Sequence, residues 1–135
     1  MGSIVVGTDG TDTAERAVDR AGAMARAFGS TVQVLSAYSD EGTPLVGAGR
    51  QGDRTHAEQH VDRARERLAQ QGVESETHVT NQEPGRALVA LAKEQGAELI
   101  VVGNRGMTGA KRVLGSVPNY VSHHAACDVL IVGTS

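Results

Sequence analysis

Three runs in the chain are apolar at every position: Ile4-Val5-Val6, Leu99-Ile100-Val101-Val102 and Val129-Leu130-Ile131-Val132. A strand with one wet face alternates, whereas a strand covered on both faces does not. The runs therefore predict strands of a parallel sheet with helices on each side. Each run is followed by a glycine: Gly7, Gly103 and Gly133. Residues 31–37 and 74–80 alternate in part and predict two weaker strands.

Helical spacing fills the intervals. Ala14, Ala17, Val18, Ala21, Ala25 and Phe28 fall on one face of a helix over 14–28. Asp12 with Glu15 reads as its capping box and Gly29 as its stop. Residues 55–71 are charged, with a thin stripe of Val61, Ala64 and Leu68, and predict a surface helix. Residues 85–95 carry Ala87, Leu88, Leu91 and Ala92, and Gly96 ends that helix. A short helix over 116–125 has Ser116 as its expected cap and Pro118 in the first turn. The resulting order, βαβαβαβαβ, is that of a parallel α/β sheet in one domain spanning 1–135. Residues 39–54 are rich in Gly and Asp and are expected to be a surface loop.

Composition narrows the function. Thirteen Lys and Arg face sixteen Asp and Glu, a net charge of -3. Proteins that live on nucleic-acid phosphates are usually basic, so that class is disfavoured. Phe28, Tyr38 and Tyr120 are the only rings of the Phe, Tyr and Trp type, too few for base-stacking platforms. Cys127 is the single cysteine, which excludes an internal disulfide and cysteine-built zinc sites. No apolar run approaches the roughly 20 residues of a membrane span. Met1-Gly2-Ser3 leads into Ile4 with no basic segment or cleavage signal, so a cytoplasmic protein is expected.

In open parallel sheets, ligands bind beyond the carboxyl ends of the strands, where the strand order reverses. The loop after the first strand is Gly7-Thr8-Asp9-Gly10-Thr11-Asp12-Thr13. The loop after the fourth runs from Gly103 through Asn104, Arg105 and Gly106 to Gly115-Ser116-Val117. Its glycines let backbone amides approach an anion closely. Its end opens a helix, whose free amides and positive dipole end favour phosphate. Arg105, Lys111 and Arg112 add positive charge to an acidic chain. Together these residues read as a phosphate-binding loop; the plain alternative is an ordinary glycine-rich strand–helix connection.

These segments resemble the universal stress protein family. Its nucleotide-binding members carry Gly, two residues, Gly, nine residues, Gly, then Ser or Thr. Here Gly103 and Gly106 are separated by two residues, and eight precede Gly115-Ser116. The opening Val5-Val6-Gly7-Thr8-Asp9-Gly10-Thr11 and the closing Cys127-Asp128-Val129-Leu130-Ile131-Val132 are also similar to the family. The resemblance implies a Rossmann-like five-stranded parallel sheet, order 3-2-1-4-5. It implies that Gly7, Thr8 and Asp9 meet adenine and ribose and that the Ala37 backbone reads the adenine edge. Val102 and Gly103 would line the ribose. Gly106, Gly115, Ser116 and Val117 would hold phosphates, with Asn104 and Arg105 in the same loop. ATP is the ligand implied, with Mg²⁺ held partly by phosphate oxygens and water; AMP and cyclic AMP are alternatives. The resemblance further implies a homodimer that pairs the last strands, Asp128–Gly133.

Other signals are weaker. Gly47-Ala48-Gly49-Arg50-Gln51-Gly52 spells a dinucleotide fingerprint, but no strong strand precedes it. His56 and His60 lie four apart and could share a metal, yet lack an obvious third ligand, so a solvated helix face is expected. His123, His124 and Cys127 read as a helix end with a buried thiol. His78 reads as a structural polar residue in a strand. There is no G-x-S-x-G elbow and no Gly-Lys pair. The expected function is a stress-response or signalling protein that binds an adenine nucleotide, with at most slow hydrolysis and no catalytic residue. The alternatives are a protein of the same fold that binds no nucleotide and an enzyme of related architecture, such as an ATP pyrophosphatase or nucleotidyl transferase.

Overall fold

The computed structural model describes residues 2–39, 53–104, 107–108, 111–112 and 114–133. In chain order the elements are β1 (Ser3–Gly7), α1 (Asp12–Phe28), β2 (Thr31–Ala37), α2 (Arg54–Gln70), β3 (Ser75–Thr80) and α3 (Pro84–Gln95). They continue with β4 (Leu99–Asn104), β5 (Met107–Thr108), β6 (Lys111–Arg112), α4 (Ser116–His124) and β7 (Asp128–Gly133). The main sheet has the order β3-β2-β1-β4-β7 and every pairing in it is parallel. Counted within that sheet alone, this is the expected 3-2-1-4-5. The short antiparallel pair β5–β6 lies within the glycine-rich loop and was not foreseen from the sequence.

The apolar runs are explained by two cores. Ile4, Val6, Val32, Val34, Leu99 and Val101 face α1 and α2, among Val18, Ala21, Val61 and Leu68. Val5, Leu35, Ile100 and Val102 face the other way, onto Leu88, Leu91 and Val121 of α3 and α4. Burying each such valine or isoleucine stabilises the fold by about 1.5–3 kcal/mol. The alternation in β3 has a different origin. On its α3 side, Glu76 and His78 meet Gln33 rather than a helix. The Gln33 amide donates to Glu76 Oε1 at 2.8 Å, and its Oε1 lies 2.7 Å from His78 Nε2. His78 is thus the structural polar residue that its strand position suggested.

Two caps differ from expectation. α1 is capped by Thr11, whose hydroxyl accepts from the Ala14 amide at 3.3 Å; Asp12 is already helical. The cap of α4 is Gly115, with no side-chain cap bond, and Ser116 is the first helical residue. The stops at Gly29 and Gly96 hold: both have positive φ, at 70° and 60°. α3 begins at Pro84, after Glu83 accepts from the Gly85 and Arg86 amides.

Candidate functional site

β1 and β4 are sheet neighbours whose following helices pack on opposite faces, so the carboxyl ends of these two strands flank the point where the order reverses. A cleft of about 210 Å³ opens there. Gly7, Thr8, Asp9, Ala37, Val102, Gly103, Asn104, Gly115, Ser116 and Val117, all singled out from the sequence, line it together. Arg105 and Gly106 lie outside the described residues, as does the 47–52 motif.

The first loop is wired by its own side chains. Thr8 Oγ1 accepts from the Gly10 amide at 3.2 Å, and Asp9 Oδ1 accepts from both the Thr11 amide at 3.1 Å and the Thr11 hydroxyl at 2.6 Å. The Thr11 hydroxyl oxygen in turn caps α1. These short polar side chains bend the chain without a hydrophobic anchor. Asp9 is thereby a structural member of the turn as well as a wall of the cleft.

The opposite wall depends on a close approach. A methyl group built on Gly103 would stand 2.7 Å from Thr13 Cγ2 and 2.9 Å from the Thr13 carbonyl oxygen. Glycine is therefore needed where β4 passes the first turn of α1. On the β2 side, Gly7 and Leu35 are the last ladder partners of β1 and β2, and the Thr8 amide donates to the Leu35 carbonyl at 2.9 Å. Ala37 stands two residues further on, still paired with Thr80 of β3. Backbone groups alternate in direction along a strand. Leu35 turns its carbonyl to the β1 side, so Ala37 does too, at a level where β1 has ended. Its main chain faces the cleft.

The glycine loop returns at α4. The Gly115 amide donates to Asn104 Oδ1 at 2.8 Å. The helix's own bonding starts with the Asn119 amide, which donates to the Gly115 carbonyl at 2.9 Å. Pro118 has no N–H. Ser116 and Val117 therefore form the first turn of α4, at the positive end of its dipole. The cleft accordingly has apolar walls from Leu35, Ala37, Val102 and Leu88, and a polar end at Ser116 and Val117.

Sequence reading missed Thr11, Thr13, Ala14, Leu35, Pro84, Leu88 and Pro118 as cleft residues. Thr11 and Thr13 belong to the loop already suspected, and their short polar side chains were signal enough. Pro84 and Leu88 come from α3, which no local motif connects to the cleft. Among the described residues no group of three or more His, Cys, Asp or Glu is placed to hold a metal. His56 and His60 nonetheless differ. His56 is exposed and pairs with Asp53 at 3.0 Å, whereas His60 is half-buried against Gly10, so only the first fits a solvated face. At the end of α4, His124 stacks on Tyr120 with ring centroids 3.9 Å apart. Cys127 is half-buried rather than buried; that burial, with Asp128 beside it, raises its thiol pKa. No helix among the described residues is long and apolar enough to cross a membrane.

The model of the universal stress protein family matches residues 1–133. The chain belongs to that family. Its relatives include the universal stress protein Rv1636 of Mycobacterium tuberculosis, 39% identical over 98% of this chain and 97% of that protein. A universal stress protein solved in complex with cAMP is 39% identical, with a TM-score of 0.77 and coverage of 99% and 98% of the two chains. The universal stress protein of Archaeoglobus fulgidus solved in complex with dAMP is 30% identical, with a TM-score of 0.76 and 98% of each chain covered. The parallel order 3-2-1-4-5 and the flanking helices are thus those of a family member along its whole length.

Proposed function

We propose that the cleft binds an adenine nucleotide, as part of a stress-response or signalling role in the cytoplasm. The observation that carries this reading is one juxtaposition. The outward-facing main chain of Ala37 and the first-turn amides of Ser116 and Val117 stand at the margins of one cleft lined by Leu35 and Val102. A flat base suits the apolar walls and the strand-end main chain. Phosphate suits helix-end amides. The relatives solved with cAMP and with dAMP support the same ligand class.

ATP is the first ligand in this reading, because the glycine spacing from Gly103 to Gly115-Ser116 is similar to that of the family's nucleotide-binding members. Mg²⁺ would then be held by the phosphate oxygens and water. Cyclic AMP is the second reading, favoured by the 39% identical neighbour. The protein binds rather than turns over its ligand: Asp9 is committed to Thr11, and hydrolysis is at most slow. Isothermal titration with ATP, AMP, cyclic AMP and GTP, each with Mg²⁺, tests this. Saturable binding of an adenine nucleotide is expected. No saturation by any of them at millimolar concentration would remove the reading, and a clear preference for cyclic AMP would replace the first ligand with the second.

β7 is the sheet's edge, and its Val129, Leu130 and Ile131 are only half-buried. An apolar edge strand invites pairing. In this proposal two copies pair antiparallel along Asp128–Gly133. Sedimentation equilibrium should return twice the chain mass, and Ile131→Lys should return one.

A further inference from the structure

The structure assigns His60 of α2 as a positioning residue for the Asp9 turn, its neutral ring holding that turn in the shape the nucleotide cleft needs. The assignment rests on the reading of the cleft given above. Its basis is the contact with Gly10. A methyl group built on Gly10 would stand 2.5 Å from His60 Nε2 and 2.6 Å from Cδ2. The imidazole thus occupies the space where any other residue at position 10 would put its side chain. Gly10 also has a φ of 80°, a backbone conformation that favours glycine, so the turn and the ring are fitted to each other. Thr8 lines the cleft on one side and, on the other, a cavity of about 10 Å³ shared with Gly10, Glu15 and His60. The turn is a wall one residue thick. Its hydrogen bonds from Gly10 to Thr8 and from Thr11 to Asp9 carry any shift of Gly10 into two cleft residues.

The ring's own chemistry makes this support depend on protonation. His60 Nδ1 is buried with no hydrogen-bond partner. A neutral imidazole tolerates one bare nitrogen, whereas an imidazolium has two donors and a buried unpaired charge. The charged groups around it divide. Asp9, on the turn, favours the proton; His56 and Arg63, on α2, oppose it. From α1, Glu15 faces Arg63 at 3.7 Å and Asp19 is bound by Arg67. Burial outweighs the rest and pushes His60 below the usual 6.5. Near neutral pH the ring is therefore uncharged and seated. Acid charges it, unseats it and loosens the turn.

The test compares wild type, His60→Gln and His60→Ala, titrated with ATP and with cyclic AMP from pH 8 to pH 5.5. Cyclic AMP serves because its phosphodiester keeps one charge throughout. The ratio of wild-type to Gln affinity should fall about fivefold as pH drops, because Gln does not titrate. His60→Ala, which removes the support, should bind about tenfold more weakly at pH 8. A ratio that stays flat would overturn the assignment. In the ligand-free wild-type protein, the amide resonances of Gly10 and Thr11 should move with the His60 titration. If no nucleotide binds at any pH, the reading of the cleft fails, and those resonances still decide the role of His60: their standing still would overturn it.

Discussion

Asn104 Oδ1 accepts a hydrogen bond from the Gly115 amide at 2.8 Å, joining the end of β4 to a residue eleven positions later at the start of α4. Asn104 is only 1% exposed. The bond closes the base of the glycine loop and sets where the first turn of α4 stands relative to Gly103. Asn104→Ala removes the acceptor and strands the Gly115 amide, at a cost of about 1–3 kcal/mol. A lower urea midpoint and roughly tenfold weaker ATP binding are expected. Unchanged affinity would mean that α4 is placed by packing alone.

Gly115 has φ of -67° and ψ of 170°, which any residue can adopt. A methyl group there would lie 3.1 Å from Asn104 Oδ1 and 3.7 Å from Pro118. The backbone allows a side chain, but Asn104 must yield by a few tenths of an ångström, so Gly115→Val should fold with a modestly lower circular dichroism melt while its branches fill the polar end of the cleft. Calorimetry should show nucleotide binding abolished. If affinity survives, phosphates do not sit at this helix end.

Gly103→Ala is expected to act on the fold itself. Its new methyl group would press on the Thr13 carbonyl, a backbone atom that cannot rotate away. Overpacking of this kind costs about 1–3 kcal/mol. Thermal unfolding should move down by several degrees, with α1 and β4 pushed apart; an unaltered melt would show that α1 shifts freely.

Stability should also fall in mild acid. A histidine whose folded pKa is depressed favours the unfolded state once protons bind. Stability is then complete above the unfolded value of 6.5 and declines as pH falls through the lower folded value of His60. Asp53 acts in a separate window: its hydrogen bond with His56 holds the carboxyl below 3.8, so its effect enters only in stronger acid. Urea midpoints measured between pH 7.5 and pH 5 should drop in wild type and drop less in His60→Gln. Equal slopes would place the acid sensitivity elsewhere.

The sheet was legible because a strand covered on both faces leaves an unbroken apolar run, as Ile4-Val5-Val6 does. The helix stops were legible because Gly29 and Gly96 take a left-handed conformation that other residues resist. The starts were less so. Thr11, Asp12 and Thr13 all have capping chemistry, and only the turn set by Asp9 decides which of them caps α1. At the site, residues near the glycine loops could be found from the loops. Leu88 and Pro84 could not, since what brings them to the cleft is the packing of α3 on the sheet. His60 stayed hidden for the same reason: its spacing to His56 suggested metal chemistry, while its real neighbour, Gly10, is fifty residues away in sequence.

β2 outlasts β1 by two residues, which leaves Ala37 without a strand on that side. Whatever reads a purine there does so with peptide atoms, and a peptide group is common to every amino acid. Substitution at this position can reshape the ledge but leaves its carbonyl acceptor in place, and only proline would remove its N–H donor. For the proposed nucleotide, the choice of base would then rest on how far β2 runs past β1 rather than on the side chain carried at position 37.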